Sequence, residues 1–227
     1  MGGPTLVVFD VDGTLTLSNQ VDGEVYAREF ERTFGIPLPS TRWTEYASGA
    51  TDQGIAEEAC AKLGLERGRI REFKGRFIVQ LRNQIARMGL APVPGARAVL
   101  RNLVNRGYAV ALATGSWRES AQLKLTCADI DTSGIPLFAS DDEPRRDGIL
   151  RQAIRVPAGR SDPVYVGDGP WDVHAARAVS LRFVGVDAEG TGELRAMGIE
   201  SVLCDFADVD AVIAALTRAR FVSSEPS

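Results

Sequence analysis

Short apolar runs recur along the chain, each closed by small or polar residues. Leu6–Phe9, Ala109–Ala113, Val164–Val166, Leu181–Val184 and, more weakly, Val202–Leu203 read as strands. Helical patterning fills the gaps. The segment "ARAVLRNLVN" (Ala96–Asn105) puts Val99, Leu100 and Leu103 on one side, and Ser120–Cys127, Gly148–Ile154, Trp171–Val179 and Asp208–Ala219 follow the same period. Strand alternating with helix predicts an α/β fold, a doubly wound and mainly parallel sheet with helices on both faces. Such sheets bind ligands beyond the carboxyl ends of their strands.

One long stretch breaks the alternation. From about Leu17 to Ala91 the pattern is helical, with no convincing strand. "VDGEVYAREFERTFG", "GIAEEACAKLG" and "IREFKGRFIVQLRNQIARMG" each end in glycine, a common helix stop. The expectation is an all-helical insert over 17–91, with a core assembled from 1–16 and 92–227. "APVPGA" (Ala91–Ala96) reads as a stiff return hinge, because proline fixes φ and prevents helix continuation. The outbound hinge falls near Thr16–Asn19.

Bulk properties narrow the function. The chain has 227 residues, 44% of them hydrophobic and 25% charged, enough for one medium domain or a core with an insert. A net charge of −4 and no basic stripe argue against a nucleic acid polymer or an anionic membrane as partner. No apolar run is long enough to cross a bilayer, and the N-terminus lacks the pattern of a secretory signal, so a cytoplasmic protein is expected. The opening "MGG" resembles a myristoylation start, but Leu6 stands where that motif needs Ser or Thr. Cys60, Cys127 and Cys204 have neither metal nor redox spacing and read as reduced thiols. The closing "FVSSEPS" reads as a frayed polar tail.

Four sites carry candidate chemistry. In "VVFDVDGTLT" a strand runs straight into Asp10 and Asp12. At alternating positions both carboxylates point one way and repel each other, unless a cation lies between them or one is protonated. A hard divalent ion such as Mg²⁺ would answer this; a solvated Asp-x-Asp turn is the competing reading. In "VALATGSW" a strand ends at Thr114, Gly115 and Ser116 before a helix, which suits either an anion site or a plain N-cap. In "VYVGDGPWD" Asp168 follows a third strand, with Asp172 four residues on, past a proline suited to a first helical turn. Both acids could reach one cation, or Asp168 could simply cap the helix. In "SDDEPRRDGIL" Arg145 and Arg146 precede an amphipathic helix and could offset clustered carboxylates, or form a solvated charge run.

Taken together, these motifs resemble the haloacid dehalogenase (HAD) superfamily of phosphohydrolases, in the branch with a helical cap after the first strand, such as phosphoglycolate phosphatases. "FDVDGTLT" is close to the family's first motif, "ATGSW" to its second and "VGDGPWD" to its fourth. The resemblance covers nearly the whole chain. It implies a Rossmann-like core and a Mg²⁺-dependent phosphatase that works through an aspartyl-phosphate. Asp10 would be the nucleophile and Asp12 the acid and base. Asp10, Asp12 through its carbonyl, Asp168 and Asp172 would serve the metal. Thr114 and Gly115, with Ser116 beside them, would hold the phosphoryl group.

The chain departs from the family at the third motif, which is usually lysine. Lys62 and Lys74 lie in the insert, and Lys124 lies too early, so Arg146 is expected to substitute, with Arg145 as alternate. The polar interruption "YASGATDQG" (Tyr46–Gly54) is expected to face the site, with Thr51 and Asp52 as substrate contacts or as mere surface loop. His174, the only histidine, is expected to point elsewhere. Partners implied are a small phosphorylated metabolite (phosphoglycolate-like, a sugar phosphate or a nucleotide) and at most a second copy, as monomer or homodimer. The competing functions are a hexose-phosphate mutase, which keeps both aspartates, and an inactive binding protein. Dehalogenating and phosphonate-cleaving relatives lack the second aspartate.

Overall fold

The computed structural model describes residues 6–157 and 162–222; the Met-Gly-Gly start and the end of the polar tail lie outside them. Six parallel strands lie in the order β3-β2-β1-β4-β5-β6. They are β1 (Leu6–Phe9), β2 (Ala109–Ala113), β3 (Leu137–Phe138), β4 (Val164–Gly167), β5 (Arg182–Val186) and β6 (Val202–Leu203). A short β7 (Arg220–Phe221) pairs antiparallel with β5. The sequence pattern misses β3 and β7 because two residues carry no periodicity.

The strands are apolar on both faces because both are covered. Val7, Phe9, Val110, Leu112, Val164, Val166 and Val184 pack on one side, with α4 (Ala96–Asn105) and α9 (Val209–Arg218). Leu6, Val8, Ala111, Ala113, Tyr165 and Phe183 pack on the other, with α6 (Arg146–Ala153) and α7 (Pro170–Ala178). Strand register also sets the height of the loops. Phe9 lies opposite Leu112 of β2 and Val166 of β4, so the loops leaving these three central strands start level with one another.

Residues 17–91 contain the helices α1 (Asn19–Phe34), α2 (Asp52–Leu63) and α3 (Ile70–Met88). They share a hydrophobic cluster of their own built on Tyr26, Phe30, Phe73, Phe77 and Leu81. The chain leaves and returns along paired segments. Val93 N donates to Leu15 O at 2.9 Å and Leu17 N to Ala91 O at 2.9 Å, close to both expected hinges.

One residue from the core side enters the helical cluster. Trp117, just before α5 (Arg118–Cys127), is fully buried. Its ring stacks on Tyr26 at 5.8 Å and lies 5.6 Å from both Phe73 and Phe77. Its Nε1 donates to Gln53 Oε1 at 3.1 Å, so the indole is both packed and satisfied. Trp117→Ala is expected to cost about 3–5 kcal/mol, the usual range for emptying a buried aromatic site. The urea midpoint measures it, and a change below about 1 kcal/mol would mean that the two layers are not joined here.

Candidate active site

Four elements meet above the central strands. Asp10 follows β1 directly, and its amide donates to Val166 O of β4 at 2.9 Å. Gly13 completes the turn in the left-handed region, φ 74°. A Cβ at that position would run into the Asp168 carboxylate and Asn19, so only glycine lets the two loops approach this closely.

Asp10, Asp168 and Asp172 each offer a carboxylate oxygen within 4.8 Å of the others. Burial, then repulsion from Asp172, pushes Asp10 well above the usual carboxylate range, with Arg146 opposing. Asp168 is pushed up by the same two causes in the same order. Asp168 Oδ2 accepts from Asn19 Nδ2 at 2.7 Å, while its Oδ1 is buried with no partner among the described residues. An orphaned buried oxygen beside two further carboxylates fits a hard cation with oxygen ligands.

Asp172 plays another part. Its Oδ1 accepts from Arg146 Nη1 and Tyr165 Oη, each at 2.6 Å, and its Oδ2 from the Asp168 and Gly169 amides, each at 3.1 Å. With both oxygens twice hydrogen-bonded, it anchors Arg146 and the Asp168 loop. That leaves Asp10 and Asp168 as the open carboxylates.

Arg146 is buried, and four hydrogen bonds to two acids and two carbonyls hold its guanidinium. Nη1 reaches Asp10 Oδ1 at 3.0 Å as well as Asp172, Nε donates to Gly49 O at 2.8 Å, and Nη2 to Ala50 O at 3.0 Å. Arg145 instead turns outward to Asp147 and Ala47 O. Of the two arginines, the structure brings only Arg146 to the acids.

Asp12 departs from the reading in which its carboxylate and that of Asp10 share one cation, though not from the resemblance, which gives it to the metal through its carbonyl alone. Its side chain is not among the clustered carboxylates. Oδ1 accepts from Ser18 Oγ at 2.5 Å and pairs with Lys124 Nζ at 2.6 Å, and Oδ2 accepts from Ser116 Oγ at 2.7 Å. Only the backbone carbonyl of Asp12 is left for a metal. Burial raises its pKa, but Lys124 and the two hydroxyls outweigh burial and leave it below the ordinary range. Lys124, which spacing sets aside as too early, therefore belongs to the site. It is fully buried, and it also donates to Asp22 Oδ1 at 2.6 Å and to Ser116 Oγ at 2.7 Å. Burial holds Asp22 at about 6 despite the lysine.

Two expected contacts, Thr114 and Thr51, do not line the cavity, and the hydroxyl of a third, Ser116, is engaged elsewhere. Thr114 is buried behind the cavity wall, its Oγ1 accepting from Ser116 N at 3.1 Å, because the next residues carry the loop forward. The Ser116 hydroxyl is spent between Lys124 and Asp12 and positions that acid. Thr51 is the N-cap of α2; its hydroxyl accepts from Gly54 N at 3.2 Å, donates to Pro144 O, and does not line the cavity. Asp52, Gly115 and Ser116 do line it. The Gly115 carbonyl accepts from Asp52 N at 2.8 Å, and a side chain there would strike Arg146 and Ala50 O. The segment 46–54 wraps Arg146, and His174 is exposed on α7.

All of this opens into one cavity of about 390 Å³, lined by Asp10, Asp12, Gly115 and Arg146 at its base.

Comparison with known proteins places this geometry. A family profile described as haloacid dehalogenase-like hydrolase matches residues 4–180. A protein of Caldanaerobacter subterraneus subsp. tengcongensis named as a pyrophosphatase, PpaX, is 22% identical over 189 residues, 80% of this chain and 81% of the relative. A hydrolase from Pseudomonas syringae superposes with a TM-score of 0.68 at 23% identity, covering 90% of this chain and 95% of that one. CbbY from Rhodobacter sphaeroides in complex with phosphate superposes at 0.68 with 20% identity, over 91% and 96%. A mutant of CbbY was solved with xylulose-1,5-bisphosphate; it superposes at 0.69 with 18% identity, over 90% and 96%. These structures share the fold.

Proposed function

The chain belongs to the haloacid dehalogenase-like hydrolase family, as a phosphoric monoester hydrolase, and we propose that it cleaves a small organic phosphate monoester in two steps through an aspartyl-phosphate on Asp10. One observation carries this reading. Asp10 and Asp12 line the same cavity, and carboxylate oxygens of Asp10, Asp168 and Asp172 converge within 4.8 Å beside a buried Asp168 oxygen that has no partner among the described residues, so a candidate nucleophile, a candidate proton carrier and a cradle for a hard cation meet in one place.

Each step has its residue. An Asp10 carboxylate oxygen attacks phosphorus in line, and the bond to the ester oxygen breaks. Arg146 holds the other oxygen of Asp10 and fixes the angle of attack. A proton that Asp12 takes up as the phosphate ester binds passes to the departing alkoxide, and the ionised Asp12, the state its lowered pKa favours, then takes one from the water that cleaves the acyl-phosphate. Lys124, Ser18 and Ser116 hold Asp12 in one rotamer through both halves. The Gly115 loop faces the phosphoryl oxygens. Asp10 and Asp168, with the Asp12 carbonyl, would hold Mg²⁺. Bound there, the cation would screen Asp10 from the phosphate and stabilise developing charge. The helical layer serves as a cap whose segment 46–54 closes over Arg146 and limits water at the covalent stage.

The test is phosphate release from a panel of monoesters with and without Mg²⁺. Excess EDTA is expected to lower the rate at least about 100-fold, and added Mg²⁺ to restore it. Full turnover in EDTA would remove the metal from the reading. Absence of phosphate release from every ester in Mg²⁺ would remove the phosphatase.

A further inference from the structure

The cavity extends past the reacting carboxylates into a region the mechanism leaves unused. Its walls there are Gln20, Asp22, Tyr26, Trp43, Asp52 and Trp171, with Glu189 at the rim. The leaving alcohol must occupy this space.

The charges in it do not balance. Arg146 is the one basic residue among the described lining; its Nε and Nη1 are committed to Gly49 O, Asp10 and Asp172, and Nη2 gives one of its two N–H groups to Ala50 O. Lys124, behind the wall, is shared between Asp12 and Asp22. Asp52 and Glu189 face the same space with no ion pair among the described residues. Asp52 is 7% exposed; its Oδ2 accepts from Trp117 N at 2.8 Å, and its Oδ1 takes no hydrogen bond from the described residues. Burial, then Asp22, pushes Asp52 well above the usual carboxylate range with Lys124 only partly opposing, so a cation seated against its free oxygen would be met by an acid that gains by ionising. Trp43 and Trp171, both partly exposed, line the same cavity, and aromatic faces attract cations; Tyr26 is packed among other rings and donates to the Asp52 carbonyl at 2.6 Å. An anionic leaving group would meet Asp52 and Glu189 with no base in the described lining beyond one N–H of Arg146. A second phosphate would fare worse, which also speaks against a bisphosphate-dependent mutase.

Resting on the phosphatase reading, we infer that the alcohol released by this enzyme carries a protonated amine, held against Asp52 in the part of the cavity lined by Trp43 and Trp171. The reaction leaves the amine unchanged. The P–O bond to the alcohol breaks, the P–O bond to Asp10 forms, and the proton from Asp12 goes to the departing oxygen.

Three esters of one length isolate the charge: 2-aminoethyl phosphate, 2-hydroxyethyl phosphate and phosphoglycolate. Their affinities for the Asp10→Asn protein with Mg²⁺ are measured by calorimetry, and their kcat/KM values with the wild type. The ammonium ester is expected to bind at least about tenfold tighter than the hydroxyl ester, and phosphoglycolate weakest. Asp52→Asn, compared in the same Asp10→Asn background, is expected to shrink the ammonium-to-hydroxyl ratio to within about threefold, whatever it does to binding as a whole. Phosphoglycolate binding as well as the ammonium ester, or an undiminished ratio in the Asp52→Asn protein, overturns the inference. The two readings separate cleanly. Efficient turnover with phosphoglycolate preferred sinks the amine and keeps the phosphatase; the expected order of binding without phosphate release from any ester keeps the amine site and sinks the phosphatase.

Discussion

Asp10→Asn is expected to abolish phosphate release and leave the fold standing. An amide oxygen is a poor nucleophile toward phosphorus, and Asp168, the other open carboxylate, is tied to Asn19 and does not line the cavity. Asp12 is held by Lys124, Ser18 and Ser116, and Asp172 is saturated by four hydrogen bonds. The loss should reach at least about 10⁴-fold in kcat, the scale seen when an enzyme loses its nucleophile. Stability should move the other way or not at all. Without a metal, Asp10 is a buried acid whose ionised form is disfavoured by burial and by Asp172. The asparagine removes that repulsion and keeps an oxygen for Arg146 Nη1. The unfolding midpoint should stay within a few degrees of the wild type, since about 1 kcal/mol corresponds to only a few degrees at this length. A variant that still releases phosphate at more than about a hundredth of the wild-type rate would take the nucleophile away from Asp10.

The pH dependence of metal-free stability has the same group at its root. Its folded pKa is raised, so the proton is held more tightly in the native state than in the unfolded chain. The contribution of Asp10 to stability is therefore greatest at low pH and falls as pH rises above the ordinary carboxylate range. Asp12 runs in the opposite sense: its lowered pKa adds stability above that range, and the gain is lost as acid protonates it.

Much of this arrangement is legible in the chain. Longer strands declare themselves by continuous apolar runs, and β1, β2 and α4 have the predicted bounds. Asp10, Asp168 and Asp172 can be found from where carboxylates stand at strand ends. What escapes is the partner of each charge, because a partner arrives from another element. Lys124 is the clearest case. It shares the buried face of α5 with Ser120, Ala121 and Leu125, at helical spacing. A lysine on an apolar stripe signals a buried carboxylate partner, a sign that motif spacing overlooks. Asp22 carries the same sign, standing one turn before Val25 and Tyr26 on the buried face of α1. Thr51 and Thr114 fail for the opposite reason. Each lies in a promising loop, but a threonine hydroxyl readily turns back to a nearby amide, as both do.

Arg146 carries the second large effect, and two substitutions divide its roles. Arg146→Ala strips one cation from Asp10 and Asp172 together and leaves both acids buried. Removing one side of a buried ion pair costs about 3–5 kcal/mol, so this variant should unfold at clearly lower urea concentration. Arg146→Lys keeps the charge. Its single ammonium can reach Asp10 and Asp172 but cannot also meet Gly49 O and Ala50 O, which lie along the edge of the guanidinium. The lysine variant should thus recover most of the stability lost in the alanine variant. Its kcat should remain about 10- to 100-fold below the wild type, because segment 46–54 loses the group it wraps. If lysine restores both stability and rate in full, the arginine fork is dispensable and only its charge matters. If alanine retains the wild-type midpoint and rate, Arg146 does not organise the acids at all, and their repulsion must be relieved by protonation or by the bound cation alone.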